Sequence, residues 1–319
     1  MTVRRSPNSR ADIVEDVTTT ELPASAATTS PPALALGAAG VTVVLWASAF
    51  VAIRHVGPEV SPGALTLGRL LVGSLVLGAV LAVRGFRRPA RRDWPLLLVC
   101  GLLWFGVYNI ALNAAEQRVD AGTTAMLVNV GPLLLALLAG VLLGEGFPRH
   151  LVTGSLVAFA GVVVIGAATS GRDAGTAGVL LCLVAAVGYA VGVVAQKPLL
   201  SRLPALEVTW LACTIGAVAC LPFTPQLVEE AGDARLSTLG WVVYLGAFPT
   251  AIAFTTWAYA LSHTTAGRMG ATTYLVPPVT IVLAWVLLGE TPVALAFVGG
   301  ALCLAGVALS RRTGRRSAR

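Results

Sequence analysis

Two segments of this chain carry the same pattern 145 residues apart. Residues 121–145 read AGTTAMLVNVGPLLLALLAGVLLGE, residues 266–290 read AGRMGATTYLVPPVTIVLAWVLLGE, and ten of the 25 aligned positions are identical. Each copy is apolar and long enough to cross a bilayer, yet has proline near its middle, where it removes a backbone donor and weakens a helix. A membrane protein tolerates this only where neighbouring helices or a polar cavity satisfy the freed carbonyl. We therefore predict two kinked helices at the centre of a duplicated membrane protein, with the kinks at Pro132, Pro277 and Pro278.

The composition supports a polytopic membrane protein. Hydrophobic residues make up 56% of the chain and charged residues 12%, with a mean hydropathy of +0.82. In soluble domains about 25% of residues are charged. The net charge of +7 comes from arginines in short joints and tails, where they orient helices, so we expect no nucleic acid partner. The expected partners are a small-molecule substrate and the lipid bilayer, and a homodimer remains open.

The amino-terminal segment and the cysteines predict no further chemistry. Residues 1–32 are rich in Thr, Ser, Ala and Pro and carry mixed charges, which is typical of a disordered tail. They lack the short apolar core of a cleaved signal peptide. All five cysteines fall in apolar segments without metal-ligand spacing, which favours core packing. We expect neither a metal nor a cofactor.

Ten apolar spans follow the tail, each near the length that a membrane helix needs. They lie at roughly 33–53, 63–83, 94–115, 121–143, 151–168, 175–196, 204–223, 239–261, 266–288 and 292–310.

The basic residues predict the orientation of these spans. If the amino terminus is inside, 17 Arg and Lys residues fall on inner segments and 4 on outer joints, with Arg69 inside a span. Cytoplasmic segments carry the excess of Arg and Lys in membrane proteins. We therefore expect a protein of the cell membrane with both termini in the cytoplasm, including the basic tail 311–319.

The duplication divides the spans into two groups of five, at 33–168 and 175–310. Near the start of each half, WASAFVAIR at 46–54 matches YAVGVVAQK at 189–197. An odd number of spans forces the second copy to enter the membrane upside down, which produces an inverted repeat. The fold class that we predict is an all-α membrane protein with ten transmembrane helices, arranged as two inverted five-helix repeats.

The repeats, the WASAFVAIR motif, Arg69 in span two and the LLGE ends of the fourth spans resemble the EamA-type family of the drug/metabolite transporter superfamily. The resemblance covers about residues 33–310. It implies a ten-helix carrier with a substrate cavity between its halves that works by alternating access. Members of the family move amino acids, nucleosides, sugars, drugs and other small metabolites, so the resemblance does not name the substrate.

Polar and aromatic residues inside the spans are the candidates for substrate binding. Aromatic side chains supply flat apolar walls with a few donors, although they also form packing layers and membrane-interface belts. Buried amides bind a ligand or bond a neighbouring helix. The repeat aligns Asn129 with Tyr274, one turn before the prolines. The candidates are Trp46, Phe50, Arg69, Trp104, Tyr108, Asn109, Asn129, Tyr189, Trp257 and Tyr274.

Two kinds of charged residue need a specific partner. Arg69 lies well inside span two, so it either snorkels to headgroups or helix-end carbonyls, or binds a substrate carboxylate or phosphate. Glu145 and Glu290 end the repeated helices, where a carboxylate opposes the helix dipole. We expect each to make a structural or gating bond rather than to carry protons.

The leading functional hypothesis is a carrier that exports a small organic metabolite, such as an amino acid, a nucleoside or a drug-like solute. A membrane enzyme is the competing class, but the spans contain no Asp, no His and no Ser-His or metal-ligand constellation. A membrane scaffold would not need inverted halves. We therefore predict no catalytic residues.

Overall fold

The computed structural model describes residues 33–118, 124, 127–169, 176–288 and 294–312. Within these ranges the chain forms helices joined by short loops, and no strand is present. The predicted disordered tail 1–32, nearly all of the linker between the halves and residues 313–319 lie outside the described ranges. The long helices are α1 (Ala33–Val56), α2 (Pro62–Arg84), α3 (Arg91–Glu116), α4 (Gly131–Leu142), α5 (Arg149–Thr169), α6 (Thr176–Leu199), α7 (Ala205–Ala219), α8 (Leu236–Ser262), α9 (Ala266–Leu287) and α10 (Ala294–Ser310).

Seven of these helices are long and apolar enough to cross a membrane, namely α1, α2, α3, α5, α6, α8 and α9. An eighth span results if α7 is joined to the helical segment Leu221–Asp233, which is bent from it by 53°. The remaining apolar helices are shorter, with 12 described residues in α4 and 17 in α10. The described residues therefore form a multi-pass, all-α membrane protein with seven or eight spans by this measure.

The predicted seventh span is longer than the helix that forms. The sequence predicts 204–223, but α7 ends at Ala219 and a 3₁₀ turn, Leu221–Phe223, leads into the helix Thr224–Asp233. Proline is tolerated in the first turn of a helix, so Pro222 and Pro225 begin these segments rather than end a span.

The prolines of the repeated helices also begin helical segments. Pro132 lies in the first turn of α4, after a turn at residues 129–130, and Pro277 is the second residue of the α-helical part Val276–Leu288. A 3₁₀ turn, Thr273–Leu275, precedes it. In both repeats the helix is interrupted just before the proline, where the missing N–H would otherwise break the ladder. The interruptions replace the simple kinks that the sequence predicts.

Helices α3 and α8 each contain a π-helical segment, and the two segments correspond in the repeat. They span Cys100–Val107 and Gly246–Ile252. The shift of 145 residues places the first on 245–252. A π-helical segment has one extra residue in each hydrogen-bonded turn, so some carbonyl groups lie outside the usual i to i+4 hydrogen-bond pattern. Such segments often occur at functional sites.

The most extensive helix pair in the described chain is α5 with α10. Glycines form the contact, and a methyl group at Gly306 would lie 2.3 Å from the backbone nitrogen of Ala158. A methyl group at Gly161 would lie 2.5 Å from the Gly299 carbonyl oxygen. Close backbone approach through small residues drives helix association in membranes, because lipid removes the hydrophobic driving force between helices.

All five cysteines are buried and free, as the sequence predicts. Cys213 donates a weak hydrogen bond from Sγ to the Leu70 carbonyl at 3.4 Å, and Cys303 makes the same kind of bond to Ala158 at 3.5 Å. Both bonds join two helices, so these thiols act as small packing residues.

The joint between α1 and α2 is tied to the start of α8. Glu59 accepts hydrogen bonds from Arg235 Nε at 2.7 Å and from Thr238 Oγ1 at 2.6 Å. The amide of Ser61 also donates to Glu230 Oε2 at 2.8 Å. We call this side of the bundle the Glu59 end. Because hydrogen bonds from Arg235 and Thr238 favour the carboxylate, the pKa of Glu59 is lowered from 4.5 to about 2.

This lowered pKa predicts an acid-dependent stability. The Glu59 contribution is fully present above the unfolded-state pKa of 4.5 and is lost as the pH falls toward about 2. We expect the difference in melting temperature between the wild type and Glu59→Gln to be constant near neutral pH and to shrink below that unfolded-state value. A difference that grows on acidification would contradict the assignment.

Candidate substrate-binding cavity

A cavity opens at the level of the interrupted helices. It contains about 660 Å³ of space not occupied by protein atoms, its mouth included. Ile53, one turn before the end of α1, and Arg69, two turns into α2, place it toward the Glu59 end. The residues that line the cavity are Trp46, Ala49, Phe50, Ile53, Arg69, Tyr108, Asn109, Leu112, Val128, Asn129, Pro132, Tyr189, Phe254, Thr273 and Val276.

Most of the predicted site residues meet at this wall. Seven of the ten substrate-binding candidates line the cavity, together with Pro132. The seven are Trp46, Phe50, Arg69, Tyr108, Asn109, Asn129 and Tyr189. Trp104, Trp257 and Tyr274 do not line it, and neither do Pro277 and Pro278.

The two tryptophans that do not line the cavity form a second layer behind its wall. Trp104 and Trp257 are fully buried, and their rings lie 6.2 and 5.0 Å from that of Trp46. Trp104 also packs 4.8 Å from Phe254, a wall residue that sequence reasoning missed. These indoles therefore support the wall, which is the packing alternative for aromatic residues.

Tyr274 is turned away from the cavity. Its ring is buried 6.5 Å from Phe159 of α5, while the preceding residue, Thr273, lines the cavity. Both belong to the 3₁₀ turn, in which successive side chains are about 120° apart rather than 100°. The alignment with Asn129 does not reveal this rotation.

Arg69 is brought to the wall by close packing of α2 on α8. A methyl group at Gly73 would lie 2.8 Å from Thr250 Cγ2, and one at Gly246 would lie 2.7 Å from the Arg69 carbonyl oxygen. This approach allows Arg69 Nε to donate to Thr250 Oγ1 at 3.0 Å. Arg69 is only 3% exposed, and within the described residues its guanidinium makes no other hydrogen bond. It therefore presents donors to the cavity, because it neither snorkels nor bonds a helix-end carbonyl.

The asparagines of α3 have different partners. Asn109 Nδ2 donates to the carbonyls of Phe105 at 2.9 Å and Trp104 at 3.3 Å, inside its own helix. Asn113 Nδ2 donates across to Thr66 Oγ1 of α2 at 3.0 Å. Asn113 therefore holds neighbouring helices together, whereas Asn109 stays on the cavity wall.

The opposite side of the bundle is closed by helix-end contacts. Gly144 has a positive φ of 68°, which ends α4 and turns the next residue toward α9. Glu145 then accepts hydrogen bonds from the amides of Ala266 at 2.6 Å and Gly267 at 3.0 Å. These amides have no partner within α9 and lie at the positive end of its dipole, so the Glu145 carboxylate stabilises this helix end. We call this side the Glu145 end.

Lys197 reinforces the same end. Its Nζ donates to the carbonyls of Leu261 and Thr264, each at 2.6 Å, at the carboxyl end of α8. A cation there complements the negative end of the helix dipole. Glu145 thus has the specific partner that the sequence predicts, whereas Glu290 lies outside the described residues.

We expect Glu145→Gln to weaken closure at the Glu145 end. The loss of a carboxylate at a helix amino terminus costs about 0.3–1 kcal/mol, which changes an opening equilibrium roughly two- to fivefold. A Val128→Cys reporter in the cavity should therefore react a few times faster with a membrane-impermeant thiol reagent applied from this side. The exposed Glu229→Gln should leave the rate unchanged, and an equal rate in the Glu145 variant would refute the role.

The bundle, its closed end and its central cavity define a multi-pass membrane transporter. The model of the EamA-like transporter family matches residues 34–167 and again 176–312, so both halves match. The chain belongs to the EamA-like transporter family.

Named relatives and a solved structure extend over nearly the whole chain. A Streptantibioticus cattleyicolor protein named "Probable terminal-alkyne amino-acid exporter" is 42% identical over 278 residues, covering 86% of this chain and 93% of that protein. A Salmonella typhimurium "Probable amino-acid metabolite efflux pump" is 28% identical, covering 87% and 96% of the two chains. Among the solved structures that match is a crystal structure with a TM-score of 0.70 and 25% identity, over 86% of this chain and 96% of the solved one.

Proposed function

We propose that this transporter exports a small amino acid or amino-acid derivative. The observation that carries the proposal is Arg69, a buried guanidinium that faces an otherwise largely apolar cavity. A guanidinium binds a carboxylate through paired, charge-assisted hydrogen bonds, which a solute without an anionic group cannot form. The relatives named as exporters of amino acids or their metabolites support the same class and direction.

The rest of the wall suits the side chain of such a solute. Trp46, Phe50 and Phe254 supply aromatic surface, and Ile53 and Val276 supply aliphatic surface. Trp46 Nε1 is buried and makes no hydrogen bond to any described residue, which is costly unless water or a solute accepts it. We propose that the apolar part of the solute lies against these rings while its carboxylate faces Arg69.

Flux measurements test this function. Proteoliposomes containing the purified protein would be loaded with labelled standard amino acids, L-propargylglycine as a terminal-alkyne amino acid, nucleosides or an amphiphilic amine. We expect saturable flux of at least one amino acid and faster flux than for its carboxamide. Transport confined to nucleosides or amines would overturn the proposed substrate class, and no flux of any solute would overturn the proposed function.

We also propose the full topology of ten transmembrane helices in two inverted five-helix repeats. The two family matches and the corresponding π-helical segments in α3 and α8 support the duplication. The 17 to 4 division of basic residues supports cytoplasmic termini in the cell membrane. Under this topology the Glu145 end is cytoplasmic, and the described state is closed on that side. Reporter fusions should place the 84–93 joint inside, and an external location would refute the orientation.

A further inference from the structure

We infer that Thr250 is a positioning residue that aims the Arg69 guanidinium at the substrate carboxylate and couples it to the π-helical segment of α8. The inference rests on the proposed function, since it assigns Arg69 to a carboxylate. Thr250 is 1% exposed and does not line the cavity, so it acts through Arg69.

The two hydrogen bonds of Thr250 fix the orientation of its hydroxyl group. Thr250 Oγ1 donates to the Leu245 carbonyl at 2.8 Å and accepts from Arg69 Nε at 3.0 Å. A hydroxyl has a single proton, so donation to Leu245 leaves a lone pair for Arg69. Engagement of Nε fixes the plane of the guanidinium and leaves the end-on pair of Nη donors for another partner. The bond therefore preorganises the fork that a carboxylate needs.

A proline alters the turn of α8 that holds Thr250. Pro249 lies four residues after Leu245 and has no N–H, so the usual helix bond to that carbonyl is absent. In the π-helical segment Gly246–Ile252 the carbonyls pair with amides five residues on, and the Thr250 hydroxyl is a further donor to the Leu245 carbonyl. Arg69, Thr250 and Leu245 therefore form one chain of hydrogen bonds from the cavity to the altered turn of α8.

The corresponding turn of α3 has a similar arrangement on another side chain. Asn109 lines the cavity and donates to the carbonyls of Trp104 and Phe105 in the π-helical segment Cys100–Val107. Both repeats thus satisfy π-helix carbonyls with polar side chains that reach the cavity directly or through one residue. A solute that hydrogen-bonds to Arg69 or Asn109 changes the hydrogen bonds within these turns. Substrate binding is thereby coupled to the geometry of α8 and α3.

Binding measurements on three α8 variants test the role. The probe is L-propargylglycine, or the amino acid transported fastest in the flux panel, together with its primary carboxamide. Thr250→Val keeps the shape and removes the hydroxyl, so we expect about tenfold weaker binding of the acid, raised KM at similar maximal rate, and little change for the carboxamide. Thr250→Ser should restore wild-type affinity. Thr255→Val is the matched control, because among the described residues Thr255 Oγ1 bonds only the Ala251 carbonyl, at 2.7 Å.

The outcomes separate this inference from the proposed function. A wild type that binds no amino acid overturns both. A wild type that binds the acid while Thr250→Val binds it equally well overturns only the role of Thr250. Equal loss for acid and carboxamide, or equal loss in Thr255→Val, would show a general packing effect and would also overturn it. If Thr250→Val does not fold, failure of Thr250→Ser to preserve the preference for the acid over the carboxamide decides against the inference.

Discussion

Replacing Arg69 with glutamine should reduce transport of a carboxylate-bearing solute by two orders of magnitude or more in kcat/KM. Two hydrogen bonds to a charged group contribute roughly 1.5–3 kcal/mol each, and each 1.4 kcal/mol is a factor of ten. Arg69→Lys should recover only part of the rate, because lysine has no second planar donor and no Nε to bond Thr250. The measurement is uptake of labelled amino acid into proteoliposomes.

Thermal stability should separate this loss from misfolding. A charge at membrane depth costs roughly 2.5–3.5 kcal/mol on insertion scales, so removing it should not lower the melting temperature. The exposed Arg88→Gln serves as the control for a lost positive charge. Wild-type flux in Arg69→Gln at equal expression would contradict the assignment of Arg69 to the substrate.

The largest effect on folding should come from Gly306→Ala. The added methyl group would lie 2.3 Å from the Ala158 nitrogen and 2.6 Å from the Gly154 carbonyl oxygen, and both are backbone atoms of α5. Overpacking of this kind costs about 1–3 kcal/mol, so the equilibrium constant for folding should fall by roughly 5- to 150-fold. Gel filtration in detergent and thermal melting measure the result.

Gly40→Ala provides the matched comparison. A methyl group at Gly40 meets no atom within 4 Å, so helix propensity alone should make this change neutral or stabilising. If Gly306→Ala and Gly40→Ala melt alike, the contact between α5 and α10 is looser than the structure indicates.

Seven of the ten predicted spans coincide with described helices long enough to cross a membrane, because such spans follow from uninterrupted hydropathy. The predicted 63–83 and 266–288 correspond to Pro62–Arg84 and Ala266–Leu287. The bend after Ala219 is missed because hydropathy continues through Leu221 and Phe223, while the change of direction depends on local backbone geometry. The π-helical segments are missed for the same reason, although Pro249 removes a donor at the right place.

The candidate site is predictable where a polar residue interrupts an apolar span. Arg69 and Asn109 stand out because burial of such groups needs a compensating partner, and both reach the cavity. Thr250 gives no such signal, since a threonine in a membrane helix usually bonds its own backbone. In the sequence, Trp104 and Trp257 look the same as Trp46, because all three are tryptophans inside apolar spans. Only the three-dimensional packing places the first two in the second layer.

The pairing of α5 with α10 has a consequence for biosynthesis. Gly161 and its contact Gly299 are 138 residues apart in the chain, the difference between 299 and 161. At roughly 5–20 residues per second, translation takes roughly 7–28 s to deliver the second glycine after the first. During that interval the glycine face of α5 lacks its partner helix α10. The contact between α5 and α10 therefore forms only after the last described helix has been synthesised.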